Sequence, residues 1–301
     1  MLMREAKKVY EQMDNKCFYF PEKGVEILSS KEAYKKYGFL KKFLPSEPKE
    51  GYFIYVKESL DKTLATCILL LSPFRKQNLS NFFVIGKGIK AKAIGTCLAK
   101  KEAKESEHKA RGIIWIREGA SRDYTHFHSW NYQNLISTDY LFILERGASL
   151  KYHYKVMRTG KRMKIKNVFI LKANAEAEIK LAGNSAQNSK IKVEDASFLK
   201  GKNSNVMVGI KFVATDTSSI TANSKIVAYA KAKGHLNCEG ILLGKGKLDF
   251  IPEIICKSKD AELTHEAAIG RIAGEKIEYL RTRGLTEEEA VKLIIKGFLE
   301  G

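Results

Sequence analysis

Hydrophobic and polar residues alternate along most of the chain, from about Gly51 to Leu263. Runs in which every second residue is apolar are separated by Gly, Asn, Asp and Ser, a pattern that predicts short β-strands. From Gly147 onward, an apolar residue follows a turn at intervals of roughly 14 or 28 residues. These positions are Leu150, Ile179, Val206, Ile220, Leu236, Leu248 and Leu263. Two strand–turn units of this length complete one coil of a solenoid, whereas the hairpins of a β-sandwich need no fixed period. The pattern therefore favours a mainly β protein built as a parallel β-helix.

The first fifty residues show helical spacing instead. Arg4 to Met13 is predicted to be helical, and Ser30 with Glu32 is predicted to begin a short capped helix over Lys31–Lys36 that ends at Gly38. Pro45 and Pro48 then mark a linker. We therefore assign residues 1–50 to an N-terminal helical region and residues 51–263 to the β-helix core.

Helical spacing returns at the end of the chain. Ala267 to Arg283 has apolar residues at helical intervals, and Gly284 is placed as a left-handed cap. Thr286 and Glu289 fit a capping box that would begin a second helix, running through Phe298. Residues 264–301 are therefore predicted to form a C-terminal helical hairpin.

Composition narrows the class of protein. The chain has 301 residues, 44% of them hydrophobic, which is typical of a globular protein with a substantial core. Five cysteines without a C-x-x-C pair are too few for a disulfide framework in a chain this long. The N-terminus has no leader pattern and no apolar run reaches membrane length, so we expect a cytoplasmic protein without a membrane partner.

The formal net charge of +19 comes from lysines spread along the chain. In Lys164–Lys166 and Lys190–Val193 they alternate with apolar residues, as expected of a solvated sheet face. This distribution argues against a nucleic-acid partner and leaves an acidic protein partner open.

Candidate chemistry is concentrated near the end of the predicted solenoid. If Leu236 and Leu263 occupy equivalent places in the repeat, then Cys238 and His265 are also equivalent and stack at about the strand spacing of 4.8 Å. Glu266 or Glu262 would complete a thiolate, imidazole and carboxylate set suited to a soft metal, although strict alternation points both to the other face. The alternative is that Cys238 is buried packing and that His265 and Glu266 have local structural roles.

Two further histidines are weaker candidates for a metal site. His126 and His128 could share one strand face, but no third ligand follows them at metal spacing, so structural packing is favoured. Cys97 is expected to be buried. No P-loop is found, because the run Gly244–Lys247 has the wrong spacing, so any nucleotide hydrolysis would belong to another chain.

Several motifs resemble the SufB/SufD family of the SUF iron–sulfur assembly system, in the family's order. They are Arg75-Lys76-Gln77, Gly95-Thr96-Cys97, His128-Ser129-Trp130, Asn237-Cys238-Glu239, His265-Glu266-Ala267, Arg283-Gly284-Leu285 and Lys296-Gly297-Phe298. The resemblance implies a right-handed parallel β-helix that serves as a scaffold, without enzymatic activity, for building a transient iron–sulfur cluster. Cys238 falls on the sulfur-accepting cysteine of the SufB branch, and His265 and Glu266 fall on its cluster-forming pair. At Thr264 the chain departs from the bacterial pattern, in which an acidic residue is common.

The resemblance also implies partners. A SufC-type ABC ATPase would dock on the C-terminal helices near Arg281, Arg283 and Leu285, and the scaffold would pair with a second copy or a paralogue. A sulfur donor and recipient apo-proteins would complete the system, and a flavin stays open because no flavin fingerprint is visible. The alternatives are a SufD-like structural subunit, against which Cys238 argues, and a β-helix polysaccharide-active enzyme, which would need a carboxylate pair that the sequence does not offer.

Overall fold

The computed structural model describes residues 5–300, and this part of the chain forms nineteen β-strands, three α-helices and one 3-10 helix. The helices are α1 (Ser30–Lys36), α2 (Gly274–Thr282) and α3 (Glu287–Glu300), and the 3-10 helix is Gly38–Lys42. The strands are β1 (Lys7–Met13), β2 (Lys16–Tyr19), β3 (Val25–Ser29), β4 (Tyr52–Val56), β5 (Leu64–Leu70), β6 (Lys76–Ile85), β7 (Lys90–Ala99), β8 (Glu107–Ile116), β9 (Ser121–Ser129), β10 (Leu135–Leu144), β11 (Ser149–Arg158), β12 (Arg162–Leu171), β13 (Glu176–Ser185), β14 (Lys190–Leu199), β15 (Ser204–Ala214), β16 (Ser219–Ala228), β17 (Ala232–Leu242), β18 (Lys247–Cys256) and β19 (Glu262–Arg271).

The strands form a parallel β-solenoid of about eight turns. The odd-numbered strands from β19 to β5, with β1 and β2, make the first sheet, and the even-numbered strands from β18 to β4, with β3, make the second. Each coil contributes one strand to each sheet, so Ile220 on β16 pairs with Leu248 on β18, one coil and 28 residues later. The predicted β-helix and its period are confirmed.

Alternation along each strand places apolar side chains between the two sheets. On β14, Ile191 and Val193 are buried while Lys190 and Lys192 are exposed, which is the solvated lysine face expected from the sequence. Turns between strands stack as well, because Asn174 and Asn203 both have positive φ and their side chains are joined by a hydrogen bond of 3.3 Å.

The predicted helix over Arg4–Met13 is wrong for the residues that the structure describes. Arg4 lies outside the described residues. Residues Lys7–Met13 form β1, which pairs in parallel with β5 and antiparallel with β2. Val9, Tyr10 and Gln12 are fully buried there, so contacts with the first coil outweigh the local helical spacing.

The short helix of the N-terminal region is confirmed, with its cap one residue earlier than predicted. Ser29 is the N-cap of α1, and its hydroxyl and the Glu32 carboxylate form a reciprocal capping box. Ala33 packs with Leu40, Phe53 and other apolar residues in a small core on the second sheet.

The predicted helix Ala267–Arg283 is wrong in its first part. Ala267 to Arg271 belong to β19, which pairs with β17 along ten residues, so the solenoid continues past the predicted boundary at 263. α2 begins only at Gly274. The predicted left-handed Gly284 (φ 92°) and the Thr286–Glu289 capping box are both present. None of the helices within residues 5–300 is long and apolar enough to cross a membrane.

Candidate functional site

Cys238 lies on β17, one strand from the end of the first sheet. Its side chain points between the sheets and is 1% exposed, and Ile210 and Ala267 flank it on the neighbouring strands. Burial raises the pKa of the thiol to about 11, because the interior disfavours the thiolate. At neutral pH Cys238 is therefore a covered, protonated thiol.

The predicted equivalence of Cys238 and His265 is wrong by two residues. Cys238 pairs with Ala267, and His265 pairs with Leu236, because the coil that joins β17 to β19 takes 29 residues between partner positions, two more than the spacing of Leu236 and Leu263. His265 has the inward parity of Leu236 and Cys238, but it is exposed, since no further coil covers β19. The thiol and the imidazole thus lie on adjacent strands of the same face, offset along the strand direction.

The two predicted carboxylates lie on the outward face of β19, as strict alternation requires. Glu266 pairs with Asn237, and one of its oxygens is 3.3 Å from Nε2 of His235. Glu262 forms an ion pair of 3.1 Å with Lys233. Within residues 5–300, Cys238, His265 and the two glutamates form no cluster of three ligand atoms within 4.8 Å of one another.

His235 is not among the site residues predicted from the sequence. Its Nδ1 lies 2.8 Å from Oγ1 of Thr264, and its Nε2 faces Glu266, so it joins the end strand to β17 on the outward face. Strand alternation could have indicated its place on the outward face, because His235 lies three residues before the inward-facing Cys238 on the same strand.

A groove of about 400 Å³ runs along the same outward face beside His235. Lys211 and Glu239, 3.6 Å apart, lie in its wall, and α3 closes one side through Leu299 and Glu300. The ammonium of Lys211 also lies 5.5 Å from the ring of Phe298, which fixes the end of α3 to β15.

The predicted partner-binding residues lie in and after α2. Arg281 forms an ion pair of 2.8 Å with Glu278, and the guanidinium of Arg283 lies over the ring of Tyr279. Leu285 follows Gly284 in the turn to α3, and its backbone N–H donates to the carbonyl of Leu280. No residue of α2 is fully buried; Ile277 and Leu280 are half-buried where α2 lies against α3, and the rest of the helix is exposed.

A different set of metal-ligand residues does come together. Cys97, His126 and His128, all buried inside the solenoid, form the one group of three such ligands within 4.8 Å that residues 5–300 contain. The favoured interpretation of the two histidines as packing rested on the missing third ligand. That ligand comes from the neighbouring strand β7, which spacing along one strand could not reveal.

Comparison with known proteins gives one consistent result. Residues 74–298 match the family described as "SUF system FeS cluster assembly, SufBD core domain". The chain is similar to an iron–sulfur cluster assembly SufBD family protein of Archaeoglobus fulgidus, with 27% identity over 99% of this chain and 85% of that protein. A protein of the same description from Methanothermobacter thermautotrophicus is 23% identical over 98% of this chain and 78% of its own length. Another from Pyrococcus horikoshii is 28% identical over 93% of this chain and 67% of its own length. Because the family match spans well over half of the chain, this protein belongs to the SufBD family of iron–sulfur cluster assembly proteins.

Proposed function

We propose that this protein is a SufB-type scaffold on which sulfur and iron are assembled into a cluster before transfer to recipient proteins. The observation that carries the proposal is the position of Cys238, whose thiol lies one strand below the uncovered end of a SufBD solenoid. A thiolate there can accept sulfur and ligate iron. The nascent cluster is cargo of the scaffold.

The uncovered end of the solenoid supports pairing with a second copy or a paralogue. Inward-facing residues of the earlier coils are buried, whereas His265, Ala267 and Ile269 of β19 are exposed. A solenoid end needs a cover, and a partner solenoid docked on this end would supply one. In such a pair, His265 and Glu266 of both chains meet near both Cys238 residues, so ligands that stay apart within one chain are completed by the other.

The C-terminal helices are the proposed docking surface of a SufC-type ABC ATPase, which would carry out the ATP hydrolysis. α2 has no buried residue, Tyr279 is 60% exposed, and Arg281 and Arg283 give its end a positive charge. Only Ile272 and Ala273 separate β19 from α2, so a movement of the helices passes directly to the strand beside Cys238. ATPase-driven movement would uncover the thiol, which burial otherwise keeps protonated.

One observation favours a second candidate, a SufD-like structural subunit. Cys238, His265 and Glu266 do not converge within a single chain. A purely structural subunit would need no such convergence. Family membership favours both candidates over a polysaccharide-active enzyme.

Anaerobic reconstitution separates these two functions. The purified full-length chain would be incubated with ferrous iron, sulfide and reductant, alone and with a SufC-type ATPase, then desalted. We expect bound iron and acid-labile sulfide in equal amounts, with sulfur-to-iron charge-transfer absorption and an increase when the ATPase is present. Loss of all iron on desalting under both conditions would contradict the scaffold function and support the structural one. A sulfur donor and an apo-protein recipient would then be added to follow transfer.

A further inference from the structure

Cys97, His126 and His128 form a cluster that the proposed scaffold chemistry does not use. β7 and β9 are neighbours in the first sheet, and their register places Cys97 directly opposite His128. His126 lies two residues earlier on the same inward face, where alternation brings it beside Cys97. Five strand spacings separate β7 from β17 and four separate β9 from β17, so Cys97 lies about 24 Å and the two histidines about 19 Å from the strand of Cys238.

The ligand atoms already have nearly the spacing that a bound metal requires. Sγ of Cys97 is 3.3 Å from Nε2 of His126, and all three ligand atoms lie within 4.8 Å of one another. A metal bound to one thiolate and two imidazoles holds those atoms about 3.3 to 3.8 Å apart. A shift of about 1 Å at most would bring the remaining pairs to this spacing.

Gly95 provides the room that the His126 ring occupies. It pairs with His126 across the sheet, and a Cβ at this position would lie 2.9 Å from Cδ2 of His126 and 2.5 Å from Oη of Tyr124. Any larger residue would displace the imidazole from Cys97. Glycine at this position therefore lets the backbone of β7 lie close to this ring.

The two ring nitrogens of His128 differ in their hydrogen bonding. The side chain is fully buried, and its Nε2 has no hydrogen-bond partner among residues 5–300. Its Nδ1 accepts a hydrogen bond of 3.2 Å from the indole N–H of Trp130. Because the indole can only donate, Nδ1 carries the lone pair of the neutral ring and Nε2 carries a proton that no acceptor receives.

A bound metal would compete with Trp130 for the lone pair of His128. A neutral imidazole has one lone pair, and on His128 the Trp130 N–H occupies it. Metal coordination by His128 and the Trp130 hydrogen bond are therefore mutually exclusive.

We propose that Cys97, His126 and His128 form a buried three-coordinate site for copper(I), a soft monovalent ion. Thiolate and imidazole ligands suit copper(I), zinc(II) and iron, so the choice among them follows from charge. Copper(I) with the Cys97 thiolate is neutral, whereas a divalent ion leaves a net positive charge in a dry interior. The thiol proton is released to solvent as the copper–sulfur bond forms.

A fixed positive charge nearby strengthens this choice. Arg122 lies four residues before His126 on β9 and is 3% exposed, with its guanidinium 3.7 Å and 4.2 Å from the ring centres of Phe83 and Tyr124. Within the described part of the chain its Nε and Nη1 have no hydrogen-bond partner. This cation lies on the same inward face four residues along β9 from His126, so a net positive metal site on that face is disfavoured.

Copper(I) titration of the full-length protein against a chromophoric chelator tests the site. Cys97→Ser is compared with Cys67→Ser, because Cys67 is also buried but is in register with Thr96, on the other face of the neighbouring strand. We expect Cys97→Ser to lose one equivalent of chelator-resistant copper(I) and Cys67→Ser to lose none. Equal copper content in the two variants would overturn the proposal, as would zinc(II) retained by the cluster in preference to copper(I).

Two measurements need no change to the ligands. X-ray absorption of the copper-loaded wild-type protein should give one sulfur and two nitrogen neighbours for the chelator-resistant ion, and a shell of sulfur alone would overturn the site. The chain has two tryptophans, so Trp115→Phe leaves Trp130 as the only indole. Its emission should change on loading, because the hydrogen bond to His128 is broken. Unchanged emission at one bound equivalent would also overturn the proposal.

Discussion

Cys238 pairs across the first sheet with Ala267, so the residue that flanks the thiol on the side of the uncovered solenoid end carries only a methyl group. The thiol is 1% exposed, yet a single strand separates it from the surface at which a partner would dock. Reactivity at Cys238 therefore depends on the position of β19, and this makes the cysteine the first residue to test.

Replacing Cys238 should remove cluster formation. We expect Cys238→Ala to lose most of its iron and sulfide after anaerobic reconstitution, because it lacks the proposed sulfur acceptor, at a stability cost of about 1 kcal/mol. Cys67→Ala is the matched buried control, and the exposed Cys256→Ala is the surface control. Iron and sulfide content equal in all three variants would contradict the assignment.

His265 and Glu266 should affect the cluster without affecting the fold. Both are exposed on the end strand, so His265→Ala and Glu266→Gln should change the free energy of unfolding by less than about 0.5 kcal/mol. Iron content after reconstitution should fall in both. Glu253→Gln on β18, which breaks an exposed ion pair with Lys225, serves as the control. If iron is lost only together with a lowered melting temperature, the two residues are structural.

Charge reversal at the end of α2 should weaken ATPase docking. We expect Arg281→Glu with Arg283→Glu to reduce affinity for a SufC-type ATPase about tenfold or more, which is about 1.4 kcal/mol. Lys292→Glu on α3 is the control, since Lys292 is exposed and its ion pair among the described residues is with Glu288 of its own helix. Calorimetry or co-purification would measure the difference. Unchanged binding with intact folding would move the interface to another surface.

Asp195 should make stability depend on pH. It is buried on β14 between Asn167 and Ser224, and desolvation raises its pKa from 3.8 to about 7. The folded state therefore keeps a proton that the unfolded chain releases. The stabilisation from this proton is complete below about pH 4 and is lost as the pH rises to about 7, at about 1.4 kcal/mol per unit or about 4 kcal/mol in all.

Asp195→Asn removes this titration while keeping the shape of the side chain. The variant and the wild type should have similar stability near pH 4, and the variant should be more stable by up to about 4 kcal/mol at pH 8. Urea unfolding of both proteins at the two pH values measures the difference. A difference that does not vary with pH would show that Asp195 does not titrate in this range.

The period of the solenoid could be predicted from sequence because every coil needs apolar residues at its inward-facing positions. The register could not, because turns between strands vary in length. Partner positions lie 27 residues apart between Ser149 and Glu176 but 29 apart between Cys238 and Ala267. A difference of two residues preserves the alternation, so the face of His265 was predicted correctly while its partner was wrong.

The sequence predicts helices at strand β1 and at the end of β19 for a related reason. The apolar residues of Lys7–Met13 fit helical spacing locally, but β5 offers a sheet edge that only the folded chain provides. At β19, Ala267 and Ile269 lie on a face that no further coil of the described chain covers. Because these positions are not buried, the sequence there lacks the apolar–polar alternation that indicates a strand. The Cys97, His126 and His128 cluster escaped prediction because it joins two coils.

The short connection at Ile272 and Ala273 determines how the end coil responds to force. Interior strands of the first sheet have two neighbours, whereas β17 is the one strand of residues 5–300 that hydrogen-bonds to β19. In a solenoid each coil is held by its nearest neighbours. A pull on α2 acts at Arg271 and would peel β19 from that end, one register pair at a time. The Cys238–Ala267 pair is the fifth of the ten pairs from Arg271. The thiol would thus be uncovered when the strand is half detached, while the other half still anchors the strand and allows it to close again.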